Sequence, residues 1–240
     1  MTDDPGPLLY RALTLQEEVL KRNVAEYKVR YDFISECIDV VGTPGTPEQS
    51  WQTLPVSQRN VFNLFHGDTL STLINAIRLG FQGCETDAYA IMRVVLENLT
   101  ILQYIVQFGL YDGAQAEIEG NAKREKRFSN KFTYKTALNK LGIKDRRERL
   151  KGDLSNFGNH VSPSRLRMSR FEIGDRNYGK VGVSINNPRT KIVIGELASL
   201  CLFFVKITDD FLAACKVENG GAFHQKRVEL ESRYEDLKDK

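Results

Sequence analysis

Between Leu20 and Val41, apolar residues return at alternating spacings of four and three: Leu20, Val24, Tyr27, Tyr31, Ile34, Ile38 and Val41. That is the period of an α-helix with one buried seam. It predicts a single long helix over 8–41, with Glu17, Glu18, Lys21, Arg22, Lys28 and Arg30 on its outer side. Pro7 stands where such a helix would begin and Gly42 where it would stop. The seam suits packing inside a bundle, or against the same helix of a second chain. Three prolines and two glycines then make residues 42–56 a loop. Its tryptophan, Trp51, is expected to fold back onto the core.

A second helix follows over 57–82, with Ser57 as its N-cap and Val61, Leu64, Phe65, Leu73, Ile77 and Phe81 on its apolar face. Residues 86–110 are apolar on nearly every side, which predicts a helix at the centre of a bundle. Residues 113–141 are polar and helical, and 144–160 form a basic helix stopped by Ser162-Pro163. Alternating residues in 168–173 and 180–185, separated and followed by turn residues, predict a small β-hairpin. The last core helix, over 192–216, carries Ile194, Leu197, Leu200, Cys201, Phe204, Ile207 and Phe211. A charged tail, read as a loose helix, follows Asn219-Gly220-Gly221.

The expected fold is therefore all-α: a bundle of five to six helices with a β-hairpin insertion near 168–190. Residues 1–55 pack a long helix and loop on the bundle, 56–216 form its core, and 217–240 are the tail. The composition agrees, at 41% hydrophobic and 27% charged. The most apolar stretch, Tyr89–Leu110, carries Arg93 and Glu97, and the run Ile192–Val205 is only 14 residues long and holds Glu196. Both read as core helices, since spanning a bilayer takes roughly 20 apolar residues, and no membrane is expected. The four cysteines form no C-x-x-C pair and the first residues do not resemble a secretory leader. Buried thiols in a reducing cytoplasm are the expectation.

Charge changes the picture. Net charge is only +3, but residues 1–120 hold 8 basic and 16 acidic groups, 121–191 hold 19 and 6, and 192–240 hold 7 and 9. The middle of the chain must meet an anion or pair with the acidic parts. Within it, Arg146, Arg147, Arg149, Lys151, Arg165 and Arg167 are the candidate nucleic-acid-binding residues. Cations interleave with aromatic residues such as Phe128, Phe132, Tyr134, Phe157 and Phe171, as RNA-binding surfaces require. The competing reading is a solvated face neutralised by the acidic first third.

Catalytic chemistry has few carriers. His66, His160 and His224 are the only histidines, and no phosphate-binding glycine loop, nucleophile elbow or zinc-ligand spacing occurs. No metal or cofactor is expected. Arg93 and Glu97 stand four apart on the most apolar helix and share a face. They form either an internal ion pair or the wall of a polar site. His160 ends the basic helix, either as a cationic cap or as the third member of that site.

The combination of Arg93-x-x-x-Glu97 with a later Leu154-Ser155-x-x-x-x-His160-x-Ser162-Pro163 resembles a bacterial all-helical family of unknown function. That family is regarded as distantly related to the HEPN (higher eukaryotes and prokaryotes nucleotide-binding) proteins. The resemblance covers roughly residues 55–215. It implies a metal-independent endoribonuclease or a non-cleaving relative, acting on or binding RNA in toxin–antitoxin or phage-defence systems. It further implies a homodimer, an antitoxin or defence-system partner, and His160, Arg93 and Glu97 as catalytic residues. The HEPN spacing, an arginine followed by four to six residues and then a histidine, is met at Arg59-Asn60 and His66, whereas positions 153–155 before His160 are Asp, Leu and Ser. The alternative is a non-catalytic helical module that binds a protein or nucleotide.

Overall fold

The computed structural model describes residues 8–43, 51–122, 130–143, 170–173, 176–179, 189–217 and 220–238. Among them are eight α-helices: α1 Leu8–Glu26, α2 Lys28–Gly42, α3 Val56–Phe81, α4 Glu85–Phe108, α5 Tyr111–Ala122, α6 Tyr134–Leu141, α7 Arg189–Ala214 and α8 Gly220–Lys238. A single 3-10 turn, Asn130–Phe132, leads into α6. The backbones of β1 Arg170–Ile173 and β2 Arg176–Gly179 pair antiparallel, Arg170 opposite Gly179. The basic helix expected over 144–160 lies outside the described residues.

The helix count exceeds the expected five to six for identifiable reasons. The long N-terminal helix bends at Tyr27, where φ is −106° and ψ 32°. Backbone bonds from Tyr27 N–H to Asn23 and from Tyr31 N–H to Tyr27, both 2.9 Å, carry the ladder through the bend. The bend re-aims the buried face: Val19 and Asn23 are buried in α1, then Phe33, Ile34, Cys37 and Val41 in α2. Of the seven-residue seam, only Ile34 and Val41 are fully buried. The polar stretch after α4 is also divided, into α5 and α6. Ser57 is not a cap, since α3 begins one residue earlier, after Pro55.

The core is α4 and α7 with the helices laid on them. α4 packs on α3, α5, α6 and α7, and α7 packs on α2, α3, α4 and α8. α4 is the one described helix apolar and long enough to cross a membrane by composition, and 56% of its apolar window is buried inside this bundle. α3 and α7 approach closely at Gly80, where an added Cβ would lie 2.7 Å from Leu197 Cδ1. At that end of the bundle the buried Glu85, first residue of α4, accepts a 3.0 Å hydrogen bond from the Thr190 hydroxyl of α7. A carboxylate there also meets the positive end of the α4 dipole. Gly109 and Gly142 terminate α4 and α6 in the left-handed conformation, φ 62° and 67°. Trp51 does fold back, its ring 5.7 Å from Phe62 and 5.8 Å from Phe211. The cysteines are free, three of them buried.

The C-terminal tail is a docked helix. Phe223, Leu230 and Leu237, seven residues apart, are buried, and Tyr234 packs on Phe33 at 5.8 Å. Around this seam two carboxylates each grip two side chains of α8. Glu36 of α2 pairs with Lys226 at 2.6 Å and with Arg233, and Asp209 of α7 with His224 at 2.9 Å and Arg227 at 2.7 Å. Burial alone would raise the Glu36 pKa; hydrogen bonds from Lys226 and Arg233 outweigh it and leave it lowered. A carboxylate lowered in the folded state stabilises it above the usual carboxylate range and loses that contribution as pH falls. Glu36→Gln should therefore cost about 1 kcal/mol at low ionic strength and less in high salt, measured by urea unfolding at both.

Candidate functional site

The α4 helix carries the predicted pair where helical geometry puts it. Arg93 Nε lies 3.1 Å from Glu97 Oε1. The pair is not buried in the interior, as an internal ion pair would be. The two side chains are 27% and 29% exposed, so water reaches both charges and each retains part of its hydration. Polar residues continue along the same side of α4 at helical spacing: Tyr89 before the pair, Thr100 and Tyr104 after it. These three are buried, so the stripe opens only at the ion pair. Tyr104 is covered by Phe132 at 6.4 Å, from the turn that leads into α6.

His160 lies outside the described residues, as do Arg146, Arg147, Arg149, Lys151, Arg165 and Arg167. The chain enters that segment from α6, which packs on α4. Of the aromatic residues interleaved with cations, Phe132 and Tyr134 are buried core. They are not platforms for bases. Lys131 lies over Phe132, 5.4 Å from the ring centre.

The formal arginine–histidine match does not make a site. Arg59 donates to the Gln52 carbonyl at 3.4 Å. His66 turns inward, its ring 5.0 Å from Phe62 and 4.8 Å from Phe204. Burial lowers its pKa to about 4, against the opposing effect of a hydrogen bond to the Val41 backbone. Nε2 is shut off from water without a partner.

A second polar group escaped the sequence reading. His224 donates from Nδ1 to Asp209 Oδ2 at 2.9 Å, with Arg227 on the same oxygen. Asp209 and His224 lie on different helices, and no motif marks their pairing. Arg227 also pairs with Glu231 at 2.6 Å, and Asp210 beside them has a pKa raised chiefly by burial. Through His224 and Arg227, Asp209 ties α8 to α7.

Among the described residues, no group of three or more His, Cys, Asp or Glu side chains is placed to hold a metal ion. Comparison with protein-family models, with curated proteins and with solved structures finds no match to this chain.

Proposed function

We propose that this is an HEPN-like helical protein that binds or acts on RNA, in the manner of a metal-independent toxin or phage-defence ribonuclease. The supporting observation is the Arg93–Glu97 pair: two charges kept on the most apolar helix, joined to each other, and reached by water at a break in a polar stripe. In this reading His160 moves the proton of a ribose 2′-hydroxyl, and an arginine steadies the charge that develops on phosphorus. The basic residues between 146 and 167 hold the phosphates. Of the sixteen acidic groups in residues 1–120, Asp32, Glu97 and Glu36 are paired with Lys28, Arg93 and two cations of α8, so these three do not serve to neutralise the basic segment. The protein works in the cytoplasm as a homodimer, alongside an antitoxin or defence-system partner.

A labelled oligoribonucleotide incubated with the full chain, with and without EDTA, tests this. Cleavage should persist in EDTA, and His160→Ala should lower the rate by about 10²-fold or more. Affinity should fall steeply with salt, as several phosphate contacts demand. Normal cleavage by His160→Ala removes the mechanism, and binding insensitive to salt removes the RNA reading.

The second reading is a non-catalytic module for a protein or nucleotide. The mutual neutralisation of Arg93 and Glu97 favours it, because a neutral pair attracts a phosphate less than a free guanidinium does. Arg93→Gln separates the two: it weakens RNA binding or cleavage in the first and leaves both unchanged in the second.

A further inference from the structure

We infer that the groove between α2 and α7 accepts α8 from a second copy of this chain, so that two chains dimerise by exchanging their C-terminal helices. Three observations carry this. The first is strain in the connection. Lys216 has φ 53° and is the one non-glycine residue with positive φ among the described residues. It sits in a helix-ending turn in which Lys216 N–H bonds Ala213 O at 3.1 Å and Val217 N–H bonds Leu212 O at 3.0 Å. Glycine is the usual occupant of that position, and a lysine there is strained. Opening the connection relieves that strain in both chains, and strained short hinges favour such exchange.

The second observation is the docking seam. It belongs wholly to α8: Phe223, Leu230 and Leu237 with Tyr234 on Phe33. A second copy presents the same residues. The third is charge complementarity. Glu36 and Asp209 line the groove from two different helices and are met by Lys226, Arg233, His224 and Arg227. A helix with cations at these positions fits, and α8 of an identical chain has them.

Light scattering on the full chain across a concentration series, separated by size exclusion, is the first measurement. A dimer should form with rising concentration and persist for some time after dilution, because its return requires α8 to detach. Lys216→Gly removes the strain and should lower the dimer association constant at least fivefold, the equivalent of 1 kcal/mol. A second pair of variants tests the exchange itself. Glu36→Arg in one chain disfavours its own α8, and Lys226→Glu with Arg233→Glu in another supplies the matching charges. Mixed, the two should form heterodimers in excess over either homodimer. A chain monomeric at hundreds of micromolar overturns the inference. So does a dimer that responds neither to Lys216→Gly nor to the charge exchange.

Discussion

Acidification from pH 7 to pH 5 should cost the protein about 2 kcal/mol through one imidazole, and about 3 kcal/mol by pH 4. His66 has its pKa lowered from 6.5 to about 4 because burial between Phe62 and Phe204 disfavours the imidazolium. The sign follows. Below pH 6.5 the unfolded chain binds a proton that the folded chain refuses, so protons favour unfolding until the folded pKa is reached. The contribution is fully present above 6.5 and is lost on the way down to about 4. Urea unfolding of the wild type and His66→Gln, at pH 7, 6 and 5, isolates this one group from the carboxylates. The wild type should lose stability relative to the variant across that interval. Parallel curves would show that His66 titrates normally.

Phe204→Ala should lower stability by about 3–5 kcal/mol, the usual cost of deleting a buried phenyl ring. Phe204 is fully buried on α7, where its ring meets His66, and the cavity would open beside the imidazole. Water admitted there satisfies the bare nitrogen and restores hydration to the charged form, so the variant should also lose most of the acid sensitivity described above. Calorimetry gives the first effect and the pH series the second. The two readouts are coupled: a loss of stability below 1 kcal/mol, or full retention of the acid slope, would mean that Phe204 does not seal the imidazole. The aromatic layer around it is continuous, with Phe62 stacked on Phe211 at 3.8 Å and Trp51 against both. The loss should therefore not be softened by collapse of a single loose neighbour.

These outcomes rest on tertiary contacts that no local pattern announces. His66 reads as one side of a formal arginine–histidine spacing, and only its environment places it between Phe62 and Phe204. The Asp209–His224 contact joins two helices across a turn, and spacing along the chain carries no information about it. The same holds for Glu36 with Lys226 and Arg233, separated in sequence but brought together when α8 docks.

What periodicity reaches by itself is the all-helical class, the positions of α3, α4 and α7 to within a few residues, and the pairing of Arg93 with Glu97. Each depends only on the 3.6-residue repeat and on which side chains water rejects, both properties of the local chain. The return of Trp51 to the core follows from the same cost of exposed aromatic surface. Packing decided the rest: the bend at Tyr27 that turns the buried face of α1 into that of α2, the docking of α8, and the exposure of the Arg93–Glu97 pair. Burial of a given face depends on what lies opposite it: α8 docks through Phe223, Leu230 and Leu237, with Glu36 and Asp209 receiving its cations.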